Sequence, residues 1–78
     1  MHENAASLGD LVVFKYTTYA FTSDHGFTRI HSGDRGILIN VLRRQDGFVY
    51  YKIFTQQKYL YINTTDVEVA MRIEDAYD

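Results

Sequence analysis

The stretch that decides the fold runs from residue 37 to 55: ILINVLR (37–43), RQDG (44–47) and FVYYKIFT (48–55). Two runs rich in β-branched and aromatic residues, each of strand length, flank Asp46-Gly47, a pair that supplies the left-handed backbone a tight hairpin needs. Working outward, KYLYIN (58–63) follows the short polar link Gln56-Gln57 and reads as the next strand. Asn63-Thr64-Thr65-Asp66 reads as a single helical or 3₁₀ turn, and VEVAM (67–71) alternates as the last strand. Upstream, Gly9-Asp10 opens LVVFKY (11–16), the first strand. Residues 17–33 mix Thr, Ser, Asp, His and Gly with isolated aromatics and hold no period for long. They read as a long loop, or as an irregular hairpin with Asp24-His25-Gly26 at its tip. No segment carries a 3.6-residue apolar stripe, so the expectation is an all-β chain of five short strands: a barrel over residues 8–72, with 1–7 and 73–78 as flexible termini.

Composition bounds what such a chain does. Seventy-eight residues make one domain, near the lower size limit for folding without staples, and the absence of Cys removes disulfides, thiolate metal sites and a Cys nucleophile together. A net charge of −2 argues against a polycation that coats nucleic acid, yet the charge is uneven. Residues 66–78 hold one Arg against five Asp or Glu, and their final stretch, Ile73 to Asp78, reads as an acidic tail, whereas residues 35–65 hold five Lys or Arg against Asp46 alone. The leading residues lack a basic region followed by an apolar run, and nothing approaches about 18 consecutive apolar residues, so a cytoplasmic or virion-associated protein with no membrane segment is expected.

Assigning strand faces by strict alternation locates a surplus of aromatics. The inward sets are Val12 and Phe14; Ile37, Ile39 and Val41; Val49, Tyr51 and Ile53; Leu60 and Ile62; and Val67, Val69 and Met71. Leu38, Leu42, Phe48, Tyr50, Phe54, Tyr59 and Tyr61 are left on the outer side of three consecutive strands, more apolar surface than a soluble monomer usually exposes. Either the long loop, with Tyr19, Phe21, Phe27 and Ile30, folds over this face as a lid, or another chain covers it.

The order of elements resembles the SH3-like small β-barrels of the translation-type and Tudor-type branch. The residues that carry the likeness are Gly9-Asp10-Leu11-Val12-Val13, Gly33-Asp34-Arg35-Gly36-Ile37-Leu38, the Asp46-Gly47 turn, and the run from Tyr61 to Val69. The chain is also similar to small bacteriophage proteins. The resemblance implies a docking module: a peptide adaptor, a nucleic-acid-binding appendage, or a subunit of a larger assembly such as a phage particle. The peptide-binding signature of signalling SH3 domains, with its Trp and its Ala-Leu-Tyr-Asp-Tyr opening, is missing.

The expected function is therefore non-enzymatic docking to protein, self or a larger complex. Tyr50, Phe54, Tyr59 and Tyr61 are the anchors and Arg43 and Arg44 the rim, because aromatic and Arg side chains dominate interface energies. The alternative is nucleic-acid binding on the same face with Arg35, Lys52 and Lys58, since aromatics interleaved with basic residues suit stacking and phosphate contact. Catalytic, cofactor and metal sites are not expected. His25 and His31 lack tight ligand spacing, Ser23-Asp24-His25 has the letters of a triad without its geometry, and Gly33-Asp34-Arg35-Gly36 lacks the Lys-Ser/Thr of a phosphate loop. Asn63-Thr64-Thr65 matches a glycosylation sequon but reads better as a Thr-rich turn.

Overall fold

The computed structural model describes residues 5–74. Its strands are β1 (Leu11–Phe14), β2 (Thr18–Thr22), β3 (Phe27–Ile30), β4 (Arg35–Arg43), β5 (Val49–Thr55), β6 (Lys58–Asn63) and β7 (Val67–Met71), with a 3₁₀ turn at Thr64–Asp66. All pair antiparallel in one sheet ordered β3-β2-β6-β5-β4-β1-β7. The chain is all-β as expected, with seven strands rather than five. The two extra strands lie inside residues 17–33, where β2 and β3 form a hairpin that docks on the edge of β6 through Phe21 opposite Tyr61 and Thr22 opposite Leu60. Alternation was hidden there because the inward residues of β2 are small, Ala20 and Thr22, while the large ones, Tyr19 and Phe21, face out.

Each strand contributes to one core: Val12 and Phe14, Ala20, Ile30, Leu38, Tyr51 and Ile53, Leu60 and Ile62, and Val67. Ile30 and Val67 sit on opposite edge strands, so the sheet curls into a half-barrel to bring them into one cluster. The curl has two local causes in β4. Gly36 faces inward at a point where a Cβ would stand 2.5 Å from Ile53 Cγ2 and 2.9 Å from the Phe54 carbonyl oxygen; only glycine lets β5 close over it. Beyond it the pairing steps from Leu38–Ile53 to Asn40–Lys52, leaving Ile39 as a bulge residue.

That bulge corrects the inward set assigned to this strand. Leu38, expected outside, is fully buried, while Ile37 and Ile39, expected inside, are 37% and 40% exposed. Val41 packs on the core, and Leu42 pairs with outward Tyr50, as strict alternation from the far end of the strand requires. A second irregularity does the same to β7. Val12 pairs with Val69 but Leu11 with Met71, so the extra residue Ala70 turns Met71 outward, against the expectation.

The turns behave as the sequence indicates, with one exception. Gly47 (φ +91°) closes the β4–β5 hairpin, Asp46 Oδ1 accepts from the Phe48 amide, and Asn63 Oδ1 caps the 3₁₀ turn by accepting from the Thr65 amide and hydroxyl. The β5–β6 link is a two-residue hairpin in which both Gln56 (φ +53°) and Gln57 (φ +63°) are left-handed, a conformation that favours Asn-Gly. Replacing Gln57 by Gly is expected to stabilise the fold by about 1 kcal/mol, read as a higher urea midpoint at unchanged slope.

The ends of the sheet meet at Asp10, a carboxylate 1% exposed. Its Oδ2 accepts from the Ser7 amide at 2.8 Å and lies 3.7 Å from the Arg72 guanidinium, and its Oδ1 accepts from the Ile73 amide at 2.7 Å. Its backbone carbonyl accepts from Leu38, and Ala6 beside it donates to the buried Tyr51 hydroxyl. One side chain thus ties the segment before β1 to the segment after β7, next to β4. Residues 75–78 of the expected acidic tail, like residues 1–4, lie outside the described residues. Asp10→Ala is expected to cost about 3 kcal/mol, because it removes the acceptor that the Ser7 and Ile73 amides share at a site closed to water; urea unfolding measures the loss.

Candidate functional site

The outer face of the sheet, opposite the core, gathers most of the residues singled out above. Antiparallel register sets Phe27, Phe21, Tyr61 and Lys52 side by side across β3, β2, β6 and β5, with Phe54 and Tyr59 as the next pair along β5 and β6. Phe21 and Phe27 stack with centroids 4.8 Å apart, and Phe54 and Tyr59 with centroids 5.0 Å apart, both tilted. Lys52 stands over two neighbouring rings of β6, its ammonium 5.0 Å from the Tyr59 ring centre and 5.9 Å from that of Tyr61. At the other end Arg44 lies 6.0 Å from the Tyr50 ring, and Phe21, Leu42, Arg44, Tyr50 and Tyr61 line an apolar groove of about 260 Å³.

The structure therefore brings Tyr50, Tyr61 and Arg44 together in the groove, and Phe54, Tyr59 and Lys52 beside it. Arg43 pairs with Val49, on the opposite pleat from Leu42, and points away from the face. Arg35 lies on the outer side at the start of β4, beyond the Ile37–Phe54 pair. Lys58 shares its pleat with Thr55 and turns toward Asp24, where both line a polar cavity at the hairpin tip. Phe48 is exposed in the β4–β5 turn region. The residues that sequence reasoning missed are Phe21 and Phe27: as loop aromatics they were candidates for a lid, whereas pairing of β2 with β6 makes them an extension of the face. Only Ala20, Thr22 and Ile30 of the hairpin are buried, and Phe27 remains 67% exposed, so the hairpin widens the aromatic surface instead of covering it.

The motifs set aside in the sequence have local roles. Asp24 accepts from the Thr22 hydroxyl rather than from His25, and this bond is the main cause that holds its carboxyl below the ordinary 3.8, with the Gly26 amide and the Lys58 charge adding to it. His25 is at the hairpin tip and His31 at its base, and among the described residues no three His, Asp or Glu side chains come together to hold a metal. Gly33 (φ +94°) and Asp34, which accepts from the His31 amide, form the bend into β4. Among the described residues no helix is long and apolar enough to cross a membrane. No family model, curated protein or solved structure matches the chain.

Because the folded Asp24 carboxyl is lowered, the hairpin-tip bond is fully present above the ordinary carboxylate value and is lost as pH falls through the lower folded value. Amide-exchange protection of Gly26, whose N–H donates to the Thr22 hydroxyl oxygen at 3.0 Å, is expected to weaken on acidification below about pH 4, and the Asp24→Asn variant to lose that pH dependence.

Proposed function

We propose that this protein is a non-enzymatic docking module of SH3-like type whose working surface is the outer aromatic face. The observation that carries the reading is the continuous strip from Phe27 through Phe21, half-buried Tyr61 and Tyr59 to Phe54, four of its five rings exposed, on a sheet whose opposite face already holds a complete core. Stability gives no reason for so many aromatics in water, whereas a docking surface does. The SH3-like reading draws support from the strand order β6-β5-β4-β1-β7, with a long first connection, a tight central hairpin and a 3₁₀ turn before the last strand.

Of the protein partners, a second copy meeting face to face is opposed by charge. Symmetric pairing brings one cationic face, with Arg29, Lys52 and Arg44, against another, and like charges brought together select against that contact. A partner carrying the opposite sign fits better. Sedimentation at rising salt tests the surface itself. The wild type is expected to be monomeric at low salt and to associate as screening removes the repulsion, with Phe21→Ser/Tyr61→Ser monomeric throughout. Association that is unchanged in the double variant would put the contact elsewhere and overturn the reading.

A further inference from the structure

We infer that the outer face binds single-stranded nucleic acid, with bases on the exposed rings and phosphates on the cations set among them. The inference rests on the docking reading above and names the partner. Three observations carry it beyond the mixture of residue types.

The first is segregation of charge. The outward positions from β3 to β4 include Arg29, Lys52 and Arg35, on strands that hold no Asp or Glu, and Arg44 follows β4 in the turn. Asp46, in the same turn, is 3.5 Å from Arg44. Asp24, at the hairpin tip, lines a polar cavity with Phe27, Tyr59 and Lys58 at one end of the row, while Asp10 is buried, Asp34 is in the turn before β4, and Asp66, Glu68 and Glu74 stand at the β7 side. The net charge of −2 therefore hides a cationic surface.

The second is the placement of Lys52. An ammonium held against the rings of Tyr59 and Tyr61 fixes a positive charge within the aromatic row itself, beside the rings on which bases would stack. A surface made for an apolar protein partner has no use for a charge at its centre, because burying it unpaired is costly. A polyanion with stackable rings satisfies both the charge and the aromatic faces.

The third is the groove of about 260 Å³, apolar in its lining by Phe21, Leu42, Tyr50 and Tyr61, with Arg44 at its rim. It offers aromatic walls for a base and one guanidinium for the phosphate or the base plane. Neighbouring strands lie about 4.8 Å apart, so the row from β3 to β5 extends about 14 Å, room for a short single-stranded segment whose unpaired bases can reach the rings, as the stacked bases of a duplex cannot.

Fluorescence anisotropy with labelled oligo-dT and oligo-U of about 15 nucleotides tests the inference, with a duplex of the same length and poly-Glu as competitors. Binding is expected to weaken linearly in log–log form between about 50 and 200 mM salt, and Lys52→Gln to make the slope shallower by about 0.7. Tyr61→Ser is expected to weaken binding about tenfold, the loss of one stacked base. Thermal melting of each variant establishes that it is folded, and Phe27→Ser, at the most exposed ring of the row, provides a second test of stacking should Tyr61→Ser unfold. Absence of oligonucleotide binding at low salt, tighter binding of duplex, or affinity unchanged in both ring variants would overturn the nucleic-acid inference. Binding of poly-Glu that is lost in Phe21→Ser/Tyr61→Ser would overturn it too, while leaving the docking face standing with an acidic protein as its partner. If neither polymer binds and the wild type stays monomeric at high salt, both readings fall together.

Discussion

Everything in this fold depends on β4 changing its inward pleat part-way along. Gly36 and Leu38 face the core in its first half and Val41 in its second, an arrangement that strict alternation forbids and the extra residue at Ile39 permits. With the bulge, one strand pairs with β1 at its start and with β5 along its length, and the sheet bends between them. Without it, either Leu38 or Val41 would face solvent. The missing Cβ at Gly36 serves the same bend from inside, and the Asp10 carboxylate fastens the two chain segments that the bend brings together.

Curling a single sheet satisfies one face only. Among the described residues no second sheet or long helix lies over the convex side, and the hairpin between β1 and β4, the element long enough for that role, pairs edge-on with β6 instead. Its small inward residues, Ala20 and Thr22, close the core, and its large ones join the outer surface. The outer face is therefore a geometric consequence of how the core is closed. Its content is a matter of sequence: aromatics with cations among them, and acids moved to turns, to the buried clasp and to the β7 side.

Much of this was legible in the residues. The central hairpin followed from Asp46-Gly47, the 3₁₀ turn from Asn63-Thr64-Thr65, and the inner and outer sets of β5 and β6 from plain alternation around Lys52 and Leu60. What escaped detection shares one cause. Bulges at Ile39 and Ala70 leave no mark in a period-two pattern, because Ile and Ala suit either face, so Leu38 and Met71 were assigned to the wrong sides. The β2–β3 hairpin escaped for a related reason: the inward residues of β2, Ala20 and Thr22, are too small to register as a hydrophobic period. Among the expected site residues, Arg43 and Lys58 turned away from the face because pleat and turn geometry, not proximity in sequence, aim a side chain.

By itself the sequence determined that this is a β protein, where its tightest turns fall, and that it carries more aromatic surface than its core can take up, since these depend on residue type and local backbone preference. Only the tertiary structure decided that the hairpin extends the aromatic face rather than covering it, and that Lys52 stands between its rings. Both are set by which strands become neighbours, and the pairing of β2 with β6 joins segments nearly forty residues apart that no local pattern connects.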